Sequence, residues 1–179
     1  MRPAPRKFSS EEAVYTAALR ALMRRAYSVF EMRTYLERRS ENASLARRVV
    51  ARLKQEQLID DARYALEFAR NRANSRRQGR YRIARELRAR GVPDRHITGA
   101  LDRALAETDE TLVVGKLIER RLRAARSAPD EKKIASLYRM LLRAGFDAQL
   151  VRQELRKVAR DRSAGGGNLP KPDLAEEDS

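Results

Sequence analysis

The chain contains no cysteine, which excludes disulfides, zinc ribbons, iron–sulfur clusters and thiol chemistry together. Tryptophan is absent and aromatic residues make up only 6% of the 179, so one large core is not expected. The single histidine, His96, stands in a turn-to-helix segment, where a solvated or capping role suits it better than catalysis. The longest run free of Asp, Glu, Lys and Arg is Ser163 to Pro170, too short and polar to span a bilayer. The basic segment Met1 to Lys7 leads into no apolar core of a signal peptide. A soluble, cytoplasmic setting with no membrane contact is the expectation.

Phosphate-loop chemistry is excluded as well. Gly165-Gly166-Gly167 lacks the following Lys-Ser/Thr, and Gly115-Lys116 has no glycine five residues before it. Asp60-Asp61 has no further carboxylate at a ligand spacing and reads as a helix start, not a metal pair. No catalytic residue, cofactor or metal is therefore expected, and the chain does not read as an enzyme.

What is present is helix-forming and basic. Hydrophobic residues make up 42% and charged residues 36%, and the charge is uneven. Residues 161–179 hold two basic and five acidic side chains, whereas the other 160 hold 38 basic and 20 acidic, a net +18 within the overall +15. A field of that sign attracts polyanions, nucleic acid first among them. Apolar residues recur at three and four, as in Leu19, Leu22 and Met23 or Leu137, Leu141 and Leu142, which marks amphipathic helices; no strand-like alternation of useful length occurs.

The pattern repeats. Laid over one another, the segments around Leu36, Leu87 and Leu141 share an apolar residue four earlier, at Met32, Ile83 and Leu137. In the second and third, Gly91 and Gly145 follow the anchor at four, then Val92 and Phe146. A glycine there suits a left-handed helix end turning sharply into the next helix. The first copy has Ser40 instead and a longer connection, for which a looser turn is expected. A longer helix opens each copy, at roughly 10–25, 61–77 and 109–126, capped by Ser9 with Glu12 in a capping box, by Asp60-Asp61 and by Thr108-Asp109.

The predicted fold is all-α with no sheet: three tandem three-helix repeats forming an elongated, curved, right-hand-side solenoid-like body. The boundaries are a flexible N-terminus at 1–8, repeats at 9–59, 60–106 and 107–160, and a disordered Gly-rich, acidic tail at 161–179. Asp60, Asp61, Gly79, Leu87, Gly91, Leu141 and Gly145 are its structural markers.

The strongest functional candidate runs from Arg70 to Arg90. Arg70, Arg72, Arg76, Arg77, Arg80, Arg82, Arg85, Arg88 and Arg90 face a single acid, Glu86. Arg77 and Arg80 flank the Gln78-Gly79 turn, and several guanidinium groups could converge on phosphates or a carboxylate-lined groove. Lys116, Arg120 and Arg123 form a weaker second stripe. Such patches supply salt-dependent affinity without reading sequence. Tyr64 and Phe68 read as a core stripe, not as a platform for bases.

The run Leu58-Ile59-Asp60-Asp61-Ala62-Arg63-Tyr64-Ala65, the segment Gly79-Arg80-Tyr81-Arg82-Ile83-Ala84-Arg85-Glu86-Leu87-Arg88-Ala89-Arg90-Gly91-Val92, the weaker match Tyr27 to Leu36, and Leu142 to Phe146 together resemble the RecX family, bacterial regulators of the RecA recombinase. Met32, where that family more often has Leu, and the acidic tail depart from its pattern. The resemblance implies a monomer that binds RecA in its filament and single- or double-stranded DNA non-specifically. It also implies modulation, mainly inhibition, of RecA ATPase, strand-exchange and coprotease activity in homologous recombination and DNA repair. A free-standing, helix-turn-helix-like DNA-binding regulator is the competing reading.

Overall fold

The computed structural model describes residues 7–124 and 130–164, and both the glycine run and most of the acidic tail lie outside them. Among the described residues the chain forms α1 (Glu11–Leu22), α2 (Val29–Glu37), α3 (Ala43–Gln55), α4 (Asp61–Asn74), α5 (Arg80–Ala89), α6 (Asp94–Ala106), α7 (Glu110–Ala124), α8 (Glu131–Arg143) and α9 (Ala148–Ala164). No strand is present among them, and an isolated bridge joins Phe8 to Ser40. The all-α class follows. Among the described residues no helix is long and apolar enough to cross a membrane.

Short acceptor side chains start most of these helices. Asp60 accepts from the Ala62 and Arg63 N–H groups, Asp109 from Thr111 and Leu112, and Asp147 from Gln149 and Leu150. The capping box falls not at Ser9 and Glu12 but at Ser28 and Glu31, while Ser10 caps α1 alone. Ser9 is displaced from that task because the chain just before it is drawn out to pair with the end of α2. The first two opening helices are also shorter than expected: α4 ends at Asn74, and α1 stops at Leu22, before the exposed Met23-Arg24-Arg25, which offers no apolar face to continue it.

The chain divides into two compact units, residues 1–72 with 83–104, and residues 73–82 with 105–179. In the first, Val14, Ala18, Met32, Leu36, Val49 and Leu53 are buried together. Ile83, Leu87, Val92, Ile97 and Leu101 are buried in the same unit, as are alanines at 65, 69, 100 and 104. In the second, Val114, Ile118, Leu137, Leu141, Phe146, Val151 and Leu155 form the core. The three anchors Leu36, Leu87 and Leu141 are each 0% exposed, which places the repeated leucine at the centre of each copy's packing. Truncating such a residue to Ala costs about 2–5 kcal/mol.

The glycine after the anchor closes a Schellman motif. The Gly91 N–H donates to Arg88 O and the Val92 N–H to Leu87 O; Gly145 and Phe146 donate to Leu142 O and Leu141 O in the same way. Gly91 and Gly145 sit at φ +70° and +90°, where a Cβ is strained. The first copy is pinned by other means, and its turn is not loose. Ser40, 2% exposed, donates through both its N–H and its hydroxyl to Leu36 O.

Candidate functional site

Each second helix ends in carbonyls that its own turn leaves partly unsatisfied, and each end is covered by another segment of the chain. The Phe8 N–H donates to Arg39 O at 2.7 Å, and Phe8 O accepts from Glu41 at 3.0 Å, closing the end of α2. The Ser28 hydroxyl donates to Arg90 O at 2.6 Å, so the start of α2 seats on the end of α5. The Gly79 N–H donates to Ala144 O at 2.9 Å and the Tyr81 N–H to Gly145 O at 3.1 Å, so the start of α5 seats on the end of α8. The positive end of one helix thereby meets the negative end of another. A Cβ on Gly91 would overlap Phe30, and one on Gly79 or Gly145 would overlap the backbone of the other side of its joint.

The α2–α5 joint carries an ionic network. Glu31 accepts from Arg25 at 3.1 Å, Arg90 at 2.7 Å and Tyr64 at 3.2 Å, while Asp61 accepts from the Val29 N–H at 2.9 Å. Burial disfavours the Glu31 charge. The hydrogen bonds from Arg25 and the Ser28 N–H, with the charges of Arg25 and Arg90, outweigh it and hold the carboxyl below the usual range. Burial, with the Glu31 charge, pushes the Tyr64 hydroxyl up. At the α5–α8 joint the Tyr81 hydroxyl donates to Asp147 at 3.4 Å. Glu110 accepts from the Arg80 N–H at 3.3 Å, and burial pushes its carboxyl up.

These joints divide the candidate arginines. Arg72 pairs with Glu86 at 3.1 Å, its side chain only 16% exposed, and lies over the Phe68 ring with Arg90 on the same ring. Arg88 pairs with Asp94 at 2.7 Å, and Arg70 lies 3.8 Å from Glu67. Arg80 is half-buried at the α5–α8 joint, where Arg82 reaches Arg143 O at 3.5 Å. Arg76, Arg77 and Arg85 are exposed and pair with no carboxylate among the described residues. Lys116 and Arg120 are likewise exposed on α7, whereas Arg123 pairs with Glu119 at 3.1 Å. The guanidinium groups that the structure brings together, Arg72 and Arg90 on Phe68, are thus held by carboxylates inside the fold. Tyr64 and Phe68 stack with centroids 6.1 Å apart, half-buried beneath them.

His96 lines a groove of about 510 Å³ with Asp60, Phe30, Lys54 and Arg95. Sequence reasoning missed the α2 face altogether. There Arg25 stacks over Tyr27 at 3.6 Å, Tyr27 meets Tyr35 at 5.7 Å, and Arg39 stacks over Tyr35 at 3.8 Å. The signal was available as Tyr27, Phe30 and Tyr35 clustered within nine residues among arginines.

Comparison with known proteins agrees with this architecture. Residues 60–101 match the family model for the second three-helix domain of RecX. The regulatory protein RecX of Halorhodospira halophila is 36% identical over 159 residues, covering 88% of this chain and 95% of the relative. The chain belongs to the RecX family. The RecX of Oceanobacillus iheyensis is 29% identical over 80% of this chain but only 53% of its own longer sequence. The crystal structure of RecX from Lactobacillus salivarius superposes with a TM-score of 0.70 at 19% identity, over 84% of this chain and 97% of that one, which establishes the shared fold. The relatives are regulatory proteins.

Proposed function

We propose that the chain is a regulator of RecA that binds the recombinase on single-stranded DNA and mainly inhibits its ATP hydrolysis, strand exchange and coprotease function. The observation that carries this reading is 36% identity over nearly the full length of a regulatory protein RecX. The exposed, unpaired Arg76, Arg77, Arg85, Lys116 and Arg120 support it, because they suit phosphates and acidic protein surfaces without reading bases. Binding to DNA alone is weak, non-specific and steeply salt-dependent on this reading.

A free-standing helix-turn-helix regulator is favoured less. The glycine turns that such a motif would keep open are packed against Phe30 and Arg82. Adding the protein at sub-stoichiometric ratios to RecA on single-stranded DNA should slow ATP hydrolysis and strand exchange. Unchanged rates across a full titration would refute the proposal, and tight binding to one duplex sequence without RecA would establish the competing reading.

A further inference from the structure

Three of the ten aromatic side chains fall within residues 27–35, on or beside α2. Their arrangement is ordered. Arg25, Tyr27, Tyr35 and Arg39 stack in sequence, a guanidinium at either end of a tilted tyrosine pair. Beside them lies a cavity of about 340 Å³ lined by Tyr27, Phe30, Thr34 and Tyr35, with Arg25, Arg38, Arg39 and Glu31 at its sides. Phe30 is 43% exposed, with Arg33 at 5.5 Å from its ring. Its Cβ end is packed on Gly91, so the ring is held in place while part of it meets solvent.

We propose that this face of α2 binds the unpaired bases of a single-stranded nucleic acid. Aromatic rings and stacked guanidinium planes accept any base through its π face, and the exposed Arg33 and Arg38 supply phosphate contacts. Arg38 pairs with no carboxylate among the described residues, whereas Arg33 has only Glu37 at 3.9 Å. Glu31, the one acid lining the cavity, is neutralised by Arg25 and Arg90 and so repels phosphate little. A duplex keeps its bases stacked on one another and can offer this face only its phosphates. The site therefore selects single strands, which the exposed cations proposed above for electrostatic binding do not.

The inference does not depend on the action on RecA. Its test uses the full chain with a labelled oligothymidylate and a duplex of equal length at fixed salt. Because tryptophan is absent, tyrosine emission is directly visible and should be quenched by the single strand but not by the duplex. Phe30→Leu, which keeps the packing on Gly91, should weaken single-strand binding about tenfold. It should leave duplex binding and the melting temperature unchanged. Arg38→Gln should flatten the salt dependence of single-strand binding. Equal losses for both DNA forms, or no loss in either, would overturn the proposal. So would tighter, Phe30-dependent binding of a polyglutamate peptide, which would assign the face to an acidic protein partner. Failure to bind any DNA would remove this site together with the electrostatic DNA contacts, leaving the effect on RecA to be judged by its own titration.

Discussion

The two helix joints do the same task with different materials. Where α2 seats on α5, side chains mediate the contact: the Ser28 hydroxyl, Asp61 and the Glu31 network with Arg25, Arg90 and Tyr64. Where α5 seats on α8, backbone meets backbone through Gly79, Tyr81, Ala144 and Gly145. The first joint uses an arginine of the dense basic segment, Arg90, for folding. The second joint needs two glycines, and beside it Arg76 and Arg77 stay exposed and unpaired. An arginine-rich stretch that looks uniform in sequence is therefore two kinds of surface.

The comparison breaks most sharply at the glycines. Gly79→Ala places a Cβ on the Gly145 carbonyl, an obstacle that no rotamer relieves. A loss of about 3–4 kcal/mol is expected, seen as a large fall in melting temperature and faster amide exchange in α8. Gly91→Ala meets a side chain, Phe30, which can give way, but still has to hold φ +70°. The expected loss is smaller, about 2 kcal/mol. Equal losses would mean that the two joints do not differ in this way.

Protonation separates them next. The Glu31 carboxyl is held low in the folded state, so its stabilisation is complete above the unfolded value of about 4.3 and is lost as pH falls through the lower folded value. Glu31→Gln should cost about 1–2 kcal/mol at neutral pH, with the difference from wild type vanishing in acid. Glu110 is pushed the other way by burial. Its ionisation costs stability at neutral pH, and that cost shrinks as pH falls through its raised folded value and is gone below the unfolded value of about 4.3. Glu110→Gln should therefore raise the melting temperature slightly at pH 7. Chemical denaturation of both variants between pH 3 and 7 checks the opposite signs. A destabilised Glu110→Gln would show that its contact with the Arg80 N–H matters more than its burial.

The smallest effect concerns the end of α3, where Gln57 takes the left-handed position at φ +54° that Gly91 and Gly145 fill elsewhere. Gln57→Gly should stabilise by about 0.5–1 kcal/mol, measured as a raised midpoint in urea. No gain would mean that the glutamine side chain offsets its own strain.

What was legible in the sequence was local and periodic. The Leu, Gly and apolar triplets spell out the Schellman motif because all its partners lie within six residues. Asp60 and Asp109 announce helix starts for the same reason. What was not legible is long-range. Ser40 owes its buried place to Phe8, more than thirty residues away, and nothing near Gly79 signals the carbonyl of Gly145. Gly79 looks like a turn glycine, yet the left-handed residue of that turn is Arg77, at φ +49°. Charge was legible as a sum but not as a pairing, so Arg72 and Arg76 looked alike although one is held by Glu86 and the other is exposed.

On the proposed function, the exposed cations that pair with no carboxylate among the described residues, and not the buried paired ones, hold this regulator on its target. Arg76→Glu combined with Arg77→Gly tests it most directly, since the second change also relieves the left-handed backbone at Arg77. Binding to RecA assembled on single-stranded DNA, measured at physiological salt, should weaken at least about tenfold while the melting temperature holds or rises. Unchanged binding by a variant that melts like the wild type would contradict the account.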